Sequence, residues 1–115
     1  MTSKAKLLLP AQDLPNATTS LYTSPTTGLG TWIDKATATN HSGSTQTVTL
    51  YHVPNAGSAQ NSNLIVDAKS ITDKATDLLP ELVGKFIPPG ASIYGLAAAA
   101  TSVAIEINGR ELTAS

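Results

Sequence analysis

Three observations predict an all-β fold, a single antiparallel β-sandwich of about seven or eight short strands. Apolar residues recur at every second position in several segments, and helical spacing is nearly absent. β-branched residues are concentrated in those segments. Groups of Gly, Pro, Asn and Ser separate them at regular intervals, as turns do. The pattern suits a sandwich of jelly-roll or immunoglobulin-like strand order, or a small barrel. A length of 115 residues supplies one domain, because two halves of that size could hardly each bury a core.

The elements follow in order. Residues 1–15 carry Pro10 and Pro15 and do not alternate, so an N-terminal arm or edge segment is expected before a β-sandwich domain over residues 16–115. Residues 18–23 form a short strand closed by Ser24-Pro25. Gly28-Leu29-Gly30 turns the chain into a longer strand over 30–40. Asn40-His41-Ser42-Gly43 is a strong turn signal, and residues 45–53 alternate after it. Val48, Leu50 and His52 point one way there, and Thr47, Thr49 and Tyr51 the other. These two segments are expected to pair as a hairpin. Residues 54–63 make a polar loop, and Leu64-Ile65-Val66 opens a strand that extends to Ile71. Residues 72–79 are the one helix candidate, with Thr72 as N-cap and Pro80 as stop. Eight residues are marginal for a helix, so a strand or a turn is equally admissible.

Residues 81–87 lead into Pro88-Pro89-Gly90, where Pro89 and Gly90 suit the central positions of a type II turn. Residues 91–98 and 101–108 are expected to pair antiparallel. In the second of these, Val103, Ile105 and Ile107 face a core, while Ala104, Glu106 and Asn108 face out. Asn108-Gly109 signals a tight turn before a short tail or edge at 110–115.

The composition excludes several kinds of chemistry. Without cysteine there is no disulfide framework, thiolate metal site or cysteine nucleophile. Charged residues make up 13% of the chain and the net charge is -1, which argues against nucleic-acid binding through a basic patch and against a polybasic membrane surface. No run approaches the roughly 18–20 apolar residues that cross a bilayer, and Leu7-Leu8-Leu9, stopped by Pro10, is too short for a signal peptide core. The acceptor patterns at Asn16 and Asn40 are read as chance matches in a Ser- and Thr-rich chain. In an extended hairpin His41 and His52 would lie about 25–35 Å apart, too far to share a metal or a proton. His52 reads as a half-buried strand-end residue and His41 as a solvated turn residue. Asp73 and Asp77 would share a face on a helix, but two carboxylates are too few to hold calcium alone. No serine lies in a nucleophile elbow, and Gly28-Leu29-Gly30 lacks the third glycine of a dinucleotide loop. The chain is therefore expected to be non-enzymatic and to need no cofactor.

What remains is contact chemistry. Aromatics are only 4% of the residues, so Trp32 is either a core anchor or an interface anchor. Ile33 beside it also favours burial, and adjacent strand residues face opposite sides. Either both faces are covered, or a bulge re-aims one residue, or one of the two is simply exposed. Trp32 and Ile33, with Leu7, Leu8 and Leu9 of the arm and the outward-pointing Tyr51, are the candidate interface residues. Ala97 to Ala100 could admit a neighbouring chain or form a loose turn.

The order of features resembles the small β-sandwich structural proteins of tailed-bacteriophage virions. It is carried by Leu21-Tyr22-Thr23 closing at Pro25, Thr39-Asn40, Val48-Thr49-Leu50-Tyr51, Pro89-Gly90 before Ile93, and Ser102-Val103-Ala104-Ile105 leading to Gly109 and Glu111. It spans residues 18–112. Ala91 stands where the resemblance leads one to expect an acidic residue, and residues 1–15 have no counterpart. The resemblance implies a capsid decoration (cement) protein, or a neck, tail or fibre-attachment component. It further implies major capsid protein or other virion proteins as partners, a homo-oligomer, and location in a virion assembled in the bacterial host cytoplasm. It brings no catalytic residue. A carbohydrate- or receptor-binding β-module, using Tyr22, Tyr51 and Tyr94, is the alternative from another class.

Overall fold

The computed structural model describes residues 1–114, and strands dominate it. They are β1 (Thr2–Asp13), β2 (Thr19–Thr23), β3 (Gly30–Asn40), β4 (Gln46–Val53), β5 (Leu64–Ile71), β6 (Thr76–Asp77), β7 (Phe86–Ile87), β8 (Ser92–Ala97) and β9 (Val103–Thr113). One sheet has the order β1-β9-β3-β6, with β7 also paired to β3. The other has the order β2-β8-β4-β5. All pairings are antiparallel.

This order is that of a jelly roll. β1 pairs with β9, β2 with β8, β3 with β6 and β7, and β4 with β5. The chain is thus one long antiparallel ribbon with the β4–β5 connection at its tip. Wrapping the ribbon brings β9 onto β3 and β8 onto β4, which completes the two sheets. The two-residue strands β6 and β7 together occupy the place of one strand beside β3.

The core lies between the sheets. Ile33, Ala36, Ala38, Val103, Ile105 and Ile107 come from one sheet, and Val48, Leu50, Ile93 and Ala97 from the other. Leu79 and Leu82, from the connection between β6 and β7, are fully buried and close one end. The period-two pattern of β9 places its apolar residues inside as expected. The turn at Pro89-Gly90 also forms: Gly90 has φ 81° and Ala91 N–H donates to Pro88 O at 3.0 Å.

Three local expectations are corrected. Residues 30–40 and 45–53 do not make a hairpin; β3 and β4 lie in opposite sheets. The turn between them is a corner, anchored by the buried Asn40. Its Nδ2 donates to Ser44 O at 2.7 Å and Ile71 O at 2.8 Å, and its Oδ1 accepts from Ser42 N–H and Oγ–H. Likewise β8 and β9 do not pair, because the Ala-rich turn at 98–102 crosses between sheets. Asn108-Gly109 is not a turn, since β9 runs straight through it. A Cβ at Gly109 would lie 2.1 Å from Trp32 O, so the glycine serves the close approach of β3. For residues 72–79 the strand-and-turn alternative holds over the helix: they form a turn and β6. Residues 2–13 form β1, the edge strand of the five-stranded sheet. Of the expected tail, residues 110–113 extend β9, and residue 115 lies outside the described residues.

Candidate interaction surfaces

Plain alternation resolves the Trp32–Ile33 pair: the register with β9 is unbroken through both, so Ile33 is a core residue and Trp32 beside it is simply exposed. The β3–β9 register shifts between Ile33 and Lys35. Thr31 and Ile33 are therefore buried before the shift, and Ala36, Ala38 and Asn40 after it. Ile33 is 1% exposed in the core, while Trp32 points outward and is 37% exposed. Phe86 is opposite Trp32 in register and 36% exposed. The two rings lie 4.9 Å apart between centroids, tilted by 50°. Gly30, on the same face, is the seat for Phe86: a Cβ there would lie 2.3 Å from Phe86 Cζ. Arg110 is the other cross-strand neighbour of Trp32, and Ala5 lies beyond it on β1. The Arg110 guanidinium holds both carboxylate oxygens of Asp34 from Nε at 3.1 Å. This outward row, Ala5, Arg110, Trp32 and Phe86, spans four strands.

The four-stranded sheet carries a second, less exposed outer row. Tyr51 is directly opposite Tyr94, with Leu64 beyond Tyr51 and Ser20 beyond Tyr94. Both tyrosines are half-buried.

Between the sheets, a polar tie closes the end of the sandwich near the start of β3. The buried Tyr22 hydroxyl donates to Glu111 Oε2, and Lys6 Nζ reaches the same carboxylate at 3.2 Å. Tyr22 spends its one proton on Glu111, so Thr31 Oγ1 donates to Tyr22 at 2.9 Å, and Ser24 Oγ donates in turn to Thr31 at 2.9 Å. The result is a one-directional chain ending on a carboxylate. Burial and the neighbouring Glu111 raise the pKa of the Tyr22 phenol far above its usual value. Tyr22 is thus a buried tie and not a surface aromatic.

The remaining polar candidates do not converge. Asp73 accepts from Gly43 N–H at 2.9 Å, whereas Asp77 is held by Lys69 and by Leu79 N–H. His41 pairs with Asp13 at 2.6 Å, a contact across 28 residues that no local pattern signals. His52 is half-buried at the end of β4, and burial, then the charge of Lys85, lowers its pKa. Among the described residues no group of three or more His, Asp or Glu side chains could hold a metal ion, and no concave pocket opens. No helix among them is long and apolar enough to cross a membrane.

Of the six candidate interface residues, Trp32 and Leu7 are exposed, at 37% and 44%, and Tyr51 is half-buried. Leu8, Leu9 and Ile33 belong to the core. A bulge at Leu8 turns both Leu8 and Leu9 inward, so these three are not free to meet a neighbour in this fold. Phe86 and Arg110 complete the outward row and were legible only through register. No protein-family model, curated protein or solved structure matches the chain.

Proposed function

We propose that this chain is a non-enzymatic structural protein of a phage virion, a capsid decoration protein that stabilises the shell by bridging its subunits. The observation that carries the reading is the outward Trp32–Phe86 pair, seated on Gly30 and flanked by the Arg110–Asp34 ion pair. Exposed aromatics beside an arginine are the residue types that anchor protein interfaces. The order of motifs over residues 18–112 supplies the virion context, and the jelly roll is an architecture that viral capsid proteins use among many others. Many weak contacts acting together would give such a protein its holding power.

The test is quantitative mass spectrometry of purified particles made by the genome that encodes this chain. Hundreds of copies per particle support decoration. About six or twelve copies, as in a symmetric ring, replace it with a neck or tail role. Absence from the particle overturns the virion reading.

One observation favours a second reading. Tyr51 and Tyr94, directly opposite on the outer face of β4 and β8, form the kind of paired aromatic surface that a sugar ring stacks on. Glycan-array binding that is lost in Tyr51→Ala would establish a carbohydrate-binding module instead.

A further inference from the structure

We infer that the free edge of β1 accepts an extended strand from a partner protein, and that the strand it accepts is acidic. The inference stands on the edge itself and does not rest on the virion reading.

Among the described residues β1 is the longest strand and lies at the edge of its sheet, paired on one side only, with β9. Residues 2–7 are exposed, and their register with residues 108–113 is unbroken. The bulges that bend β1 come later, between Leu7 and Leu9 and between Leu9 and Gln12, where Pro10 also interrupts the ladder. The first six residues of β1 therefore present a straight edge of unpaired backbone donors and acceptors. The other edges are protected. β6 and β7 have two residues each, β2 is short and bulged, and β5 is bent at Ala68, which has φ 48°.

The side chains of this edge select the partner. Lys4 and Lys6 share one face of β1; Glu111 lies opposite Lys4 in register, and its carboxylate pairs with Lys6. No acidic residue occurs in β1 before Asp13. A second copy of the chain is a poor occupant. In a two-fold antiparallel pair, opposed residues must share a face, so the pairing centres on one residue. Centred on Lys4, it sets Lys4 against Lys4. Centred on Ala5, it sets Lys4 against Lys6 twice. Centred on Lys6, it sets Lys6 against Lys6 and runs into the bulge. Each of these registers opposes like charges, which disfavours it, and a pairing centred on Ser3 avoids that only by joining no more than residues 1–5. A strand with acidic residues two apart meets Lys4 and Lys6 in phase and supplies the missing backbone partners, the pattern of strand addition.

The test uses the full-length chain and two end-blocked fluorescent heptapeptides, one alternating valine with glutamate and one alternating valine with lysine. In fluorescence anisotropy at low salt the glutamate peptide is expected to bind about tenfold more tightly, from two opposite-charge cross-strand pairs. Hydrogen exchange should then slow at amides within residues 2–7. Lys4→Glu, at an exposed position, should abolish that preference while circular dichroism stays unchanged. Equal binding of the two peptides, or binding without slowed exchange in residues 2–7, overturns the inference. Concentration-dependent protection of those amides in the chain alone also overturns it, because a second copy would then hold the edge.

Discussion

Replacing Gly109 by alanine tests the strand pairing on which the outward row depends. Gly109 lies opposite Ile33 in the β3–β9 ladder, just before the bulge. An alanine Cβ there would sit 2.1 Å from Trp32 O and 2.7 Å from Leu8 Cδ1. An unstrained carbon–oxygen contact is about 3.3 Å, so the two strands must part by about 1 Å. Leucine can swing aside, but the carbonyl is backbone and moves only with β3. Ladder hydrogen bonds near 2.9 Å do not survive that displacement. Losing two of them at about 1 kcal/mol each, with a moderate overpacking term, gives a cost of about 3–4 kcal/mol. At this length that lowers Tm by about 12–16 °C.

The assay is urea unfolding followed by the fluorescence of Trp32, the single tryptophan, which sits at the perturbed place. The matched control is Gly43→Ala, in open space at φ 94°, where only left-handed backbone strain of about 1 kcal/mol applies. If Gly109→Ala stays within about 0.5 kcal/mol of the unsubstituted chain, β9 does not pass close to Trp32. The Asn-Gly turn read from sequence would then be right.

Three further outcomes follow from the polar interior. Asn40→Ala removes a buried side chain with four hydrogen bonds and should cost about 3 kcal/mol or more in the same urea assay. Tyr22→Phe removes the donor to Glu111 and should cost about 1.5–3 kcal/mol near neutral pH. Folding raises the Tyr22 pKa from 10.0, so its contribution is full below pH 10 and is lost as pH rises beyond it; the Phe variant should lack that alkaline loss. Folding lowers the His52 pKa from 6.5, so the folded state binds fewer protons than the unfolded one in mild acid. Stability from this group is full above pH 6.5 and falls as pH drops below it. The difference between the unsubstituted chain and His52→Gln, measured by urea unfolding from pH 7 to pH 5, should track that loss.

Several strands were legible because one buried face imposes period two, which β9 carries throughout, β4 over most of its length and β3 on either side of its bulge. Their partners were not. Asn40-His41-Ser42-Gly43 and Ala98 to Ser102 have turn chemistry that serves a hairpin or a corner equally well. Only the burial of Asn40 and the crossing to the other sheet distinguish the two. Bulges defeat pattern reading in the same way. Leu8 and Leu9 are consecutive yet both buried, and burial along β3 passes from Thr31 and Ile33 to Ala36 and Ala38, because one extra residue inverts the phase. Phe86 became part of a surface only once β7 was placed beside β3.

The outward row joins the two surfaces argued above. Ala5, at the middle of the open β1 edge, and Phe86 lie three strand spacings apart, about 14 Å at ~4.8 Å per spacing. A standard interface covers about 800 Å² on each partner, which is wider than that row. A strand added beside β1 and a body resting on Trp32–Phe86 therefore fit beneath one neighbour. If one neighbour does cover both, Lys4→Glu and Trp32→Ser weaken the same association, and their separation makes the two losses add within about 0.5 kcal/mol. If two different neighbours are involved, each variant impairs a separate binding event and leaves the other intact.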